Sequence, residues 1–269
     1  MRASLCLFRL LTMFALGFAA QAGSAADKIG VVLMHGELGA PQRVIDGLAQ
    51  ALSHAGYLVN TPDMCWSGRR GYEAPFDECL ATVDDAIVRL KNLGAGSIVV
   101  GGFSLGGVGA IAFGASHPGL TGIFAVAPAH DARAVAENPD IADNIARAQK
   151  LVATGKGDET SAFDDVGFGA AGAYVNEIAT TPAIYLSFFG PASHADIAGA
   201  ARRLTAPLLW VAGKDDPTQR DGAAAFAGVP KNALNRYVVV AGGHQSAPEA
   251  SKDAVLSWLK DVAAAKQGN

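Results

Sequence analysis

Apolar positions along this chain alternate between short unbroken runs and helical spacings. Lys28–Met34 (KIGVVLM) is a continuous apolar run, as expected of a strand covered on both faces, and it ends in the turn His35-Gly36-Glu37-Leu38-Gly39. Val44, Leu48, Ala51 and Leu52 then share one face of a predicted helix over Pro41–Ala55, stopped by Gly56. Tyr57–Thr61 reads as a second strand, followed by a loop carrying Asp63, Cys65, Trp66, Arg69 and Arg70. Pro75–Leu93 is amphipathic, with Leu80, Val83, Ile87 and Leu90 at helical spacing and Gly94 at its end. A third strand at Ile98-Val99-Val100 leads into a small-residue helix reaching about Ser116, and Gly122–Ala127 is a fourth strand.

Regularity fails between Asp131 and Gly190, where one helix (Ile141–Ala153) and a glycine-rich middle (Gly167–Ala173) read as an insertion. Order then returns with a helical pattern over Ala192–Leu204 and a fifth strand at Pro207–Ala212. A short helix at Gly222–Ala227, a sixth strand at Tyr237–Ala241 and a closing helix over Ala247–Ala265 complete the chain. Strands alternating with helices predict an α/β fold, a mostly parallel sheet of six strands between two layers of helices. Neither an internal repeat nor an inter-domain linker interrupts residues 27–269, which read as a single domain.

Half of the 269 residues are hydrophobic and 17% are charged, enough apolar material for a substantial core. The net charge is −4 and the chain has no basic cluster, which excludes a nucleic-acid-binding role. Residues 1–26 have the three parts of a cleaved secretory signal: basic Arg2 and Arg9, the apolar run Leu10–Ala20, and the A-x-A site Ala20-Gln21-Ala22. The run is too short for a stable transmembrane span, so we expect an exported protein, periplasmic or secreted, without a stable membrane anchor. An uncleaved anchor is the alternative. Cys65 and Cys79 remain after cleavage, and in an oxidising compartment they are expected to form a disulfide rather than stay as buried thiols. No Cys/His spacing resembles a zinc site.

The chemistry centres on Gly102-Phe103-Ser104-Leu105-Gly106, a G-x-S-x-G pattern between a strand and a helix. A serine at such a turn is pushed out of the sheet's edge in a strained backbone conformation, and glycines two residues to either side avoid the resulting clashes. The following helix directs its amino terminus at the serine, where negative charge is favoured. Serine needs a base, and the base needs an orienting group. Both are available at later strand ends: Gly213-Lys214-Asp215-Asp216-Pro217 after the fifth strand and Ala241-Gly242-Gly243-His244 after the sixth. The order Ser104, Asp216, His244 differs from the orders in chymotrypsin and subtilisin.

With these residues in hand, the chain resembles the α/β-hydrolase family over about residues 28–265, as an exported, bacterial-type serine hydrolase with 131–190 as a lid or cap. The resemblance implies the spatial strand order two-one-three-four-five-six, in a minimal sheet lacking the family's first two strands. It favours Asp216 over Asp215 as the acid, and it makes His35-Gly36 similar to the oxyanion loop. The N–H groups of Glu37 and Leu105 would then form the oxyanion hole. Glu37 stands where many relatives carry a small residue, and its carboxylate is expected to face the pocket mouth and disfavour anionic substrates. His35, His130 and Trp66 are candidate pocket residues; His54, His117 and His194 are not. The implied activity is hydrolysis of a small-molecule carboxylic ester through an acyl-enzyme, extending to thioesters or amides, with no metal or organic cofactor. C–C hydrolysis, lyase chemistry on the same triad, and a non-catalytic binding role are the alternatives.

Overall fold

The computed structural model describes residues 28–169 and 172–267; the predicted signal at 1–26 lies outside them. The elements in chain order are β1 (Lys28–Met34), α1 (Asp46–His54), β2 (Leu58–Asn60), α2 (Phe76–Asn92), β3 (Ala95–Phe103), α3 (Leu105–Ser116) and β4 (Gly122–Val126). There follow α4 (Ala132–Val135), α5 (Pro139–Ala153), β5 (Ser161–Gly169), β6 (Gly172–Thr180), α6 (Pro182–Phe189) and α7 (Ile197–Ala201). The chain closes with β7 (Leu208–Gly213), α8 (Gly222–Ala227), β8 (Arg236–Val240), α9 (Ala247–Ala250) and α10 (Lys252–Gln267).

Six strands form one sheet in the order β2-β1-β3-β4-β7-β8, and every pairing in it is parallel. This is the expected order, reversing between β1 and β3. Successive side chains of a strand leave the sheet on opposite faces, and both faces are covered, so the strand sequences are continuously apolar. Val32, Met34, Val100, Ala125 and Trp210 pack with Phe76, Leu80 and Val83 of α2 and with α3. Val31, Leu33, Val99, Phe124 and Leu209 pack with Leu48 and Leu52 of α1 and with Val255, Trp258 and Leu259 of α10.

Three local expectations require correction. The first helix starts at Asp46 rather than Pro41, because residues 41–45 form turns that end with Ile45 buried as the N-cap. The pattern over Ala192–Leu204 is helical only at Ile197–Ala201, where Asp196 accepts a hydrogen bond from the Gly199 N–H and fixes the start. The glycine-rich middle of the inserted segment is an antiparallel hairpin of β5 and β6. That hairpin packs against the turn carrying His244, which brings the insertion to the carboxyl edge of the sheet.

Candidate active site

β3 delivers Ser104 to the edge of the sheet with φ 56° and ψ −124°, a left-handed conformation that a non-glycine residue adopts only when its surroundings impose it. The flanking glycines are explained by close approach. A Cβ on Gly102 would sit 2.1 Å from the Gly106 carbonyl oxygen, and one on Gly106 would meet the His35 and Met34 carbonyls at 2.6 Å. The elbow is therefore pressed against the end of β1, and the loop His35–Gly39 leaves from there.

His244 lies after β8, with its Nε2 2.9 Å from Ser104 Oγ and its Nδ1 2.8 Å from Asp216 Oδ2. All three residues are buried to within a few percent. Asp216 also accepts hydrogen bonds from the N–H and hydroxyl of Thr218 through Oδ1. Burial alone would raise the Asp216 pKa, but the hydrogen bonds from His244 and Thr218 outweigh it and keep the carboxyl below its ordinary value. Asp215, the rival acid, is exposed to solvent. Of the two aspartates, Asp216 is the one in contact with His244. Thr218 and Gln219 brace this end of the site and were not singled out from sequence; Gln219 donates to the Pro128 carbonyl and accepts from the Trp210 indole.

The loop after β1 is held by hydrogen bonds on either side of Glu37. The Leu38 N–H donates to the Trp66 carbonyl, the Gly39 N–H to the Gly36 carbonyl, and the Trp66 indole to the His35 carbonyl. His35 Nε2 accepts from the Met64 N–H, which leaves Nδ1 as the donor to the Gly36 carbonyl. Burial lowers the His35 pKa, so this bracing imidazole is neutral. Among the described residues, the Glu37 N–H meets no acceptor. Leu105 opens α3, where the first N–H groups of a helix have no partner of their own.

A cavity of about 310 Å³ opens on Ser104 and His244. His35, Glu37, Arg43, Phe103, His130 and Tyr174 are among the residues lining it. Trp66 is not. It is fully buried beneath the loop, stacked on Phe76, and its expected place in the pocket is corrected to a bracing one. Cys65 and Cys79 are bridged with their Cα atoms 5.4 Å apart, tying the Trp66 loop to α2.

The Glu37 side chain also departs from expectation. It does not face the mouth. Its Oε2 lies 2.9 Å from His130 Nε2, and that nitrogen is also 3.3 Å from Asp165 Oδ2 and 3.1 Å from the Val166 carbonyl. All three side chains are at least 94% buried, since their exposures are 6%, 3% and 0%. Burial and the neighbouring Asp165 raise the Glu37 pKa against the pull of His130. For His130, burial is outweighed by the two carboxylates and the pKa is raised; for Asp165, burial is outweighed by His130 and the pKa is lowered. Glu37, His130 and Asp165 are also the described residues placed to ligate a metal ion, with their ligand atoms within 4.8 Å of one another. Nothing in the local sequence around Asp165 signals this role.

A family model described as serine aminopeptidase, S33, matches residues 25–245. No curated protein matches the chain. Among solved structures, the monoacylglycerol lipase of Paleococcus ferrophilus is 21% identical with a TM-score of 0.64, over 87% of this chain and 94% of that one. A structure described with LipS and LipT, two metagenome-derived lipolytic enzymes, is 20% identical with a TM-score of 0.62, over 88% and 94%. Est1E from Butyrivibrio proteoclasticus with ferulic acid bound is 17% identical with a TM-score of 0.61, over 89% and 92%. At these identities the likeness is one of fold.

Proposed function

The chain belongs to the serine aminopeptidase S33 family of α/β-hydrolases, and from that premise we propose that it is a serine hydrolase of small carboxylic esters. The observation that carries the reading is the relay Ser104–His244–Asp216, with links of 2.9 and 2.8 Å, opening on the cavity. Asp216 accepts from His244 Nδ1–H, so Nε2 is free to take the Ser104 proton as Oγ bonds to the substrate carbonyl carbon. The oxyanion is received by the N–H groups of Glu37 and Leu105. Collapse expels the alcohol, which carries away the proton held by His244. Water then gives a proton to Nε2 and adds to the acyl carbon, and breakdown of that adduct releases the acid and returns the proton to Ser104.

Ester chemistry is favoured over removal of an amino-terminal residue by the charges of the cavity. An aminopeptidase substrate presents an ammonium group, yet the carboxylate lining the cavity, Glu37, is already engaged by His130. The test is labelling with a fluorophosphonate probe, alongside hydrolysis of matched p-nitrophenyl esters and amino-acid p-nitroanilides. Adduct on Ser104 and a strong preference for the esters support the reading. A preference for the anilides carrying a free amine would replace it.

Export belongs to the same proposal. A basic segment, an apolar run and an A-x-A site at residues 1–26 motivate it, and the Cys65–Cys79 bridge suits an oxidising compartment. An exported product beginning after Ala22, Ala25 or Ala26 is expected on amino-terminal sequencing; an intact leader on an intracellular protein would refute it. Residues 131–190, whose hairpin reaches the His244 turn, serve in this reading as the lid that shapes the acyl site.

A further inference from the structure

Three segments far apart in sequence meet at His130: the oxyanion loop through Glu37, the end of β4 through His130 itself, and the inserted hairpin through Asp165. We propose that Asp165 and His130 are positioning residues that clamp the Glu37 side chain and thereby aim its backbone N–H at the reacting oxygen. The inference rests on the hydrolase reading above and adds to it a role for the inserted hairpin.

The argument starts from what fixes the loop. The neighbouring N–H and carbonyl groups are tied to the loop carrying Trp66 and Gly68 or within the turn itself, but the Glu37 peptide has no backbone anchor among the described residues. An N–H donor must lie within a few tenths of an ångström of its place to stabilise an oxyanion, so some other contact has to fix this residue. Its carboxyl is the remaining handle. That handle is held in a buried site, where an ion pair is costly to form and costly to break from one side. His130 adopts φ 70°, a strained conformation that the surrounding structure sustains.

The proton count shows how the clamp is satisfied. Asp165 Oδ1 accepts from the Val166 N–H and Oδ2 lies 3.3 Å from the shared His130 Nε2, whereas Glu37 Oε1 is buried without a hydrogen-bond partner among the described residues. One proton shared between the two carboxyls gives Glu37 Oε1 a partner. It also leaves neutral Glu37, anionic Asp165 and cationic His130, a cluster without net charge. Burial and Asp165 raise the Glu37 pKa to about 7 while His130 lowers that of Asp165, so below that pH the proton resides on Glu37. The other titratable groups facing the cluster are the phenols of Tyr72 and Tyr185, both raised by burial and by the nearby carboxylates, and they stay neutral.

This arrangement makes a specific demand on substitutions. A glutamine at position 37 offers an N–H where protonated glutamate offers an O–H, so Glu37→Gln should lose less of kcat than either Glu37→Ala or Asp165→Ala. For the latter two we expect kcat for p-nitrophenyl acetate to fall roughly 10- to 100-fold with KM changed less than about twofold. Affinity for a trifluoromethyl ketone, whose adduct places an oxyanion in the hole, should fall in proportion. Circular dichroism and melting curves keep loss of fold apart from loss of positioning. Folded variants with unchanged kcat and ketone affinity overturn the clamp and leave the hydrolase standing. A wild-type protein that neither labels at Ser104 nor turns over overturns both. One equivalent of tightly held divalent metal, lost in Asp165→Ala, would overturn the shared proton and make the cluster a metal site.

Discussion

The molecule sets two histidines against carboxylates, a short distance apart around one cavity, and uses them in opposite ways. His244 faces Ser104 on one side and Asp216 on the other, each in line with a different ring nitrogen. His130 gathers two carboxylates and a carbonyl around a single nitrogen. A proton can pass along the first arrangement, since one nitrogen is anchored and the other is free to exchange. In the second, the acceptors converge on one N–H and hold the imidazole as a cation. Burial alone does not separate the two, because both histidines line the cavity and both are almost wholly enclosed. What separates them is the number of carboxylates and where they lie around the ring.

The comparison breaks first under alanine. His244→Ala should abolish turnover, on the order of 10⁴-fold or more, with little change in melting temperature, and Ser104→Ala should match it. His130→Ala should do the reverse in emphasis. It leaves the buried Asp165 carboxylate without its cation, a loss of about 3–5 kcal/mol in stability, with a smaller effect on the rate of whatever remains folded. Ester assays and urea unfolding on the same preparations check both halves. An inactive but fully stable His130→Ala would show that the two histidines do the same kind of work.

Next in size is the choice of acid. Asp216→Asn retains the shape but turns the His244 hydrogen bond toward the wrong tautomer, and kcat should drop by about 10²- to 10⁴-fold. Asp215→Asn, exposed and bonded to neither His244 nor Thr218 among the described residues, should stay within about threefold of wild type. Steady-state kinetics of the pair decide it, and the opposite ranking would move the triad by one residue.

The same contrast accounts for how much could be read from sequence. Ser104, Asp216 and His244 each follow a strand, in an order and with glycine flanks that the chemistry requires, so both the residues and the parallel sheet could be recognised. The loop His35–Gly39 was legible as a strand-end turn because it follows the apolar run of β1. The clamp left no such trace. Glu37, His130 and Asp165 have no mutual spacing, and the hairpin that carries Asp165 is rich in small residues that mute its alternation. Its place over the His244 turn is decided by tertiary packing. The direction of the Glu37 side chain could not be foreseen for the same reason: the partners that turn it inward are distant in the chain.

A titration separates the two sites more finely. Burial and Asp165 raise Glu37 from the ordinary 4.5 to about 7, so the folded chain keeps a proton that the unfolded chain loses between those values. The stability this group contributes is fully present below pH 4.5 and is lost as pH rises through about 7. Asp165 runs the other way, being lowered to about 2; its contribution is present above the ordinary carboxylate value and is lost as pH falls toward 2. Glu37→Gln removes the first of these contributions. Its unfolding free energy should decline less between pH 5 and pH 8 than that of wild type, by on the order of 2 kcal/mol. Parallel declines in the two proteins would place the titrating proton elsewhere.

The smallest effect concerns the charge that substrates meet. With the Glu37 side chain turned into its cluster, Arg43 is the exposed charged side chain lining the cavity that pairs with no described carboxylate. The pocket mouth should therefore be mildly favourable to anionic esters, the opposite of what a carboxylate at the mouth would produce. An exposed guanidinium acts through water and is screened by salt, so the energy at stake is at most about 1 kcal/mol and shrinks as ionic strength rises. Arg43→Gln should lower kcat/KM for an ester bearing a carboxylate by about two- to fivefold relative to a neutral isostere, with the gap closing at high salt. Glu37→Gln should leave that ratio unchanged. A ratio that moves with Glu37→Gln and ignores Arg43→Gln would return the carboxylate to the pocket and dissolve the distinction between the two histidine sites.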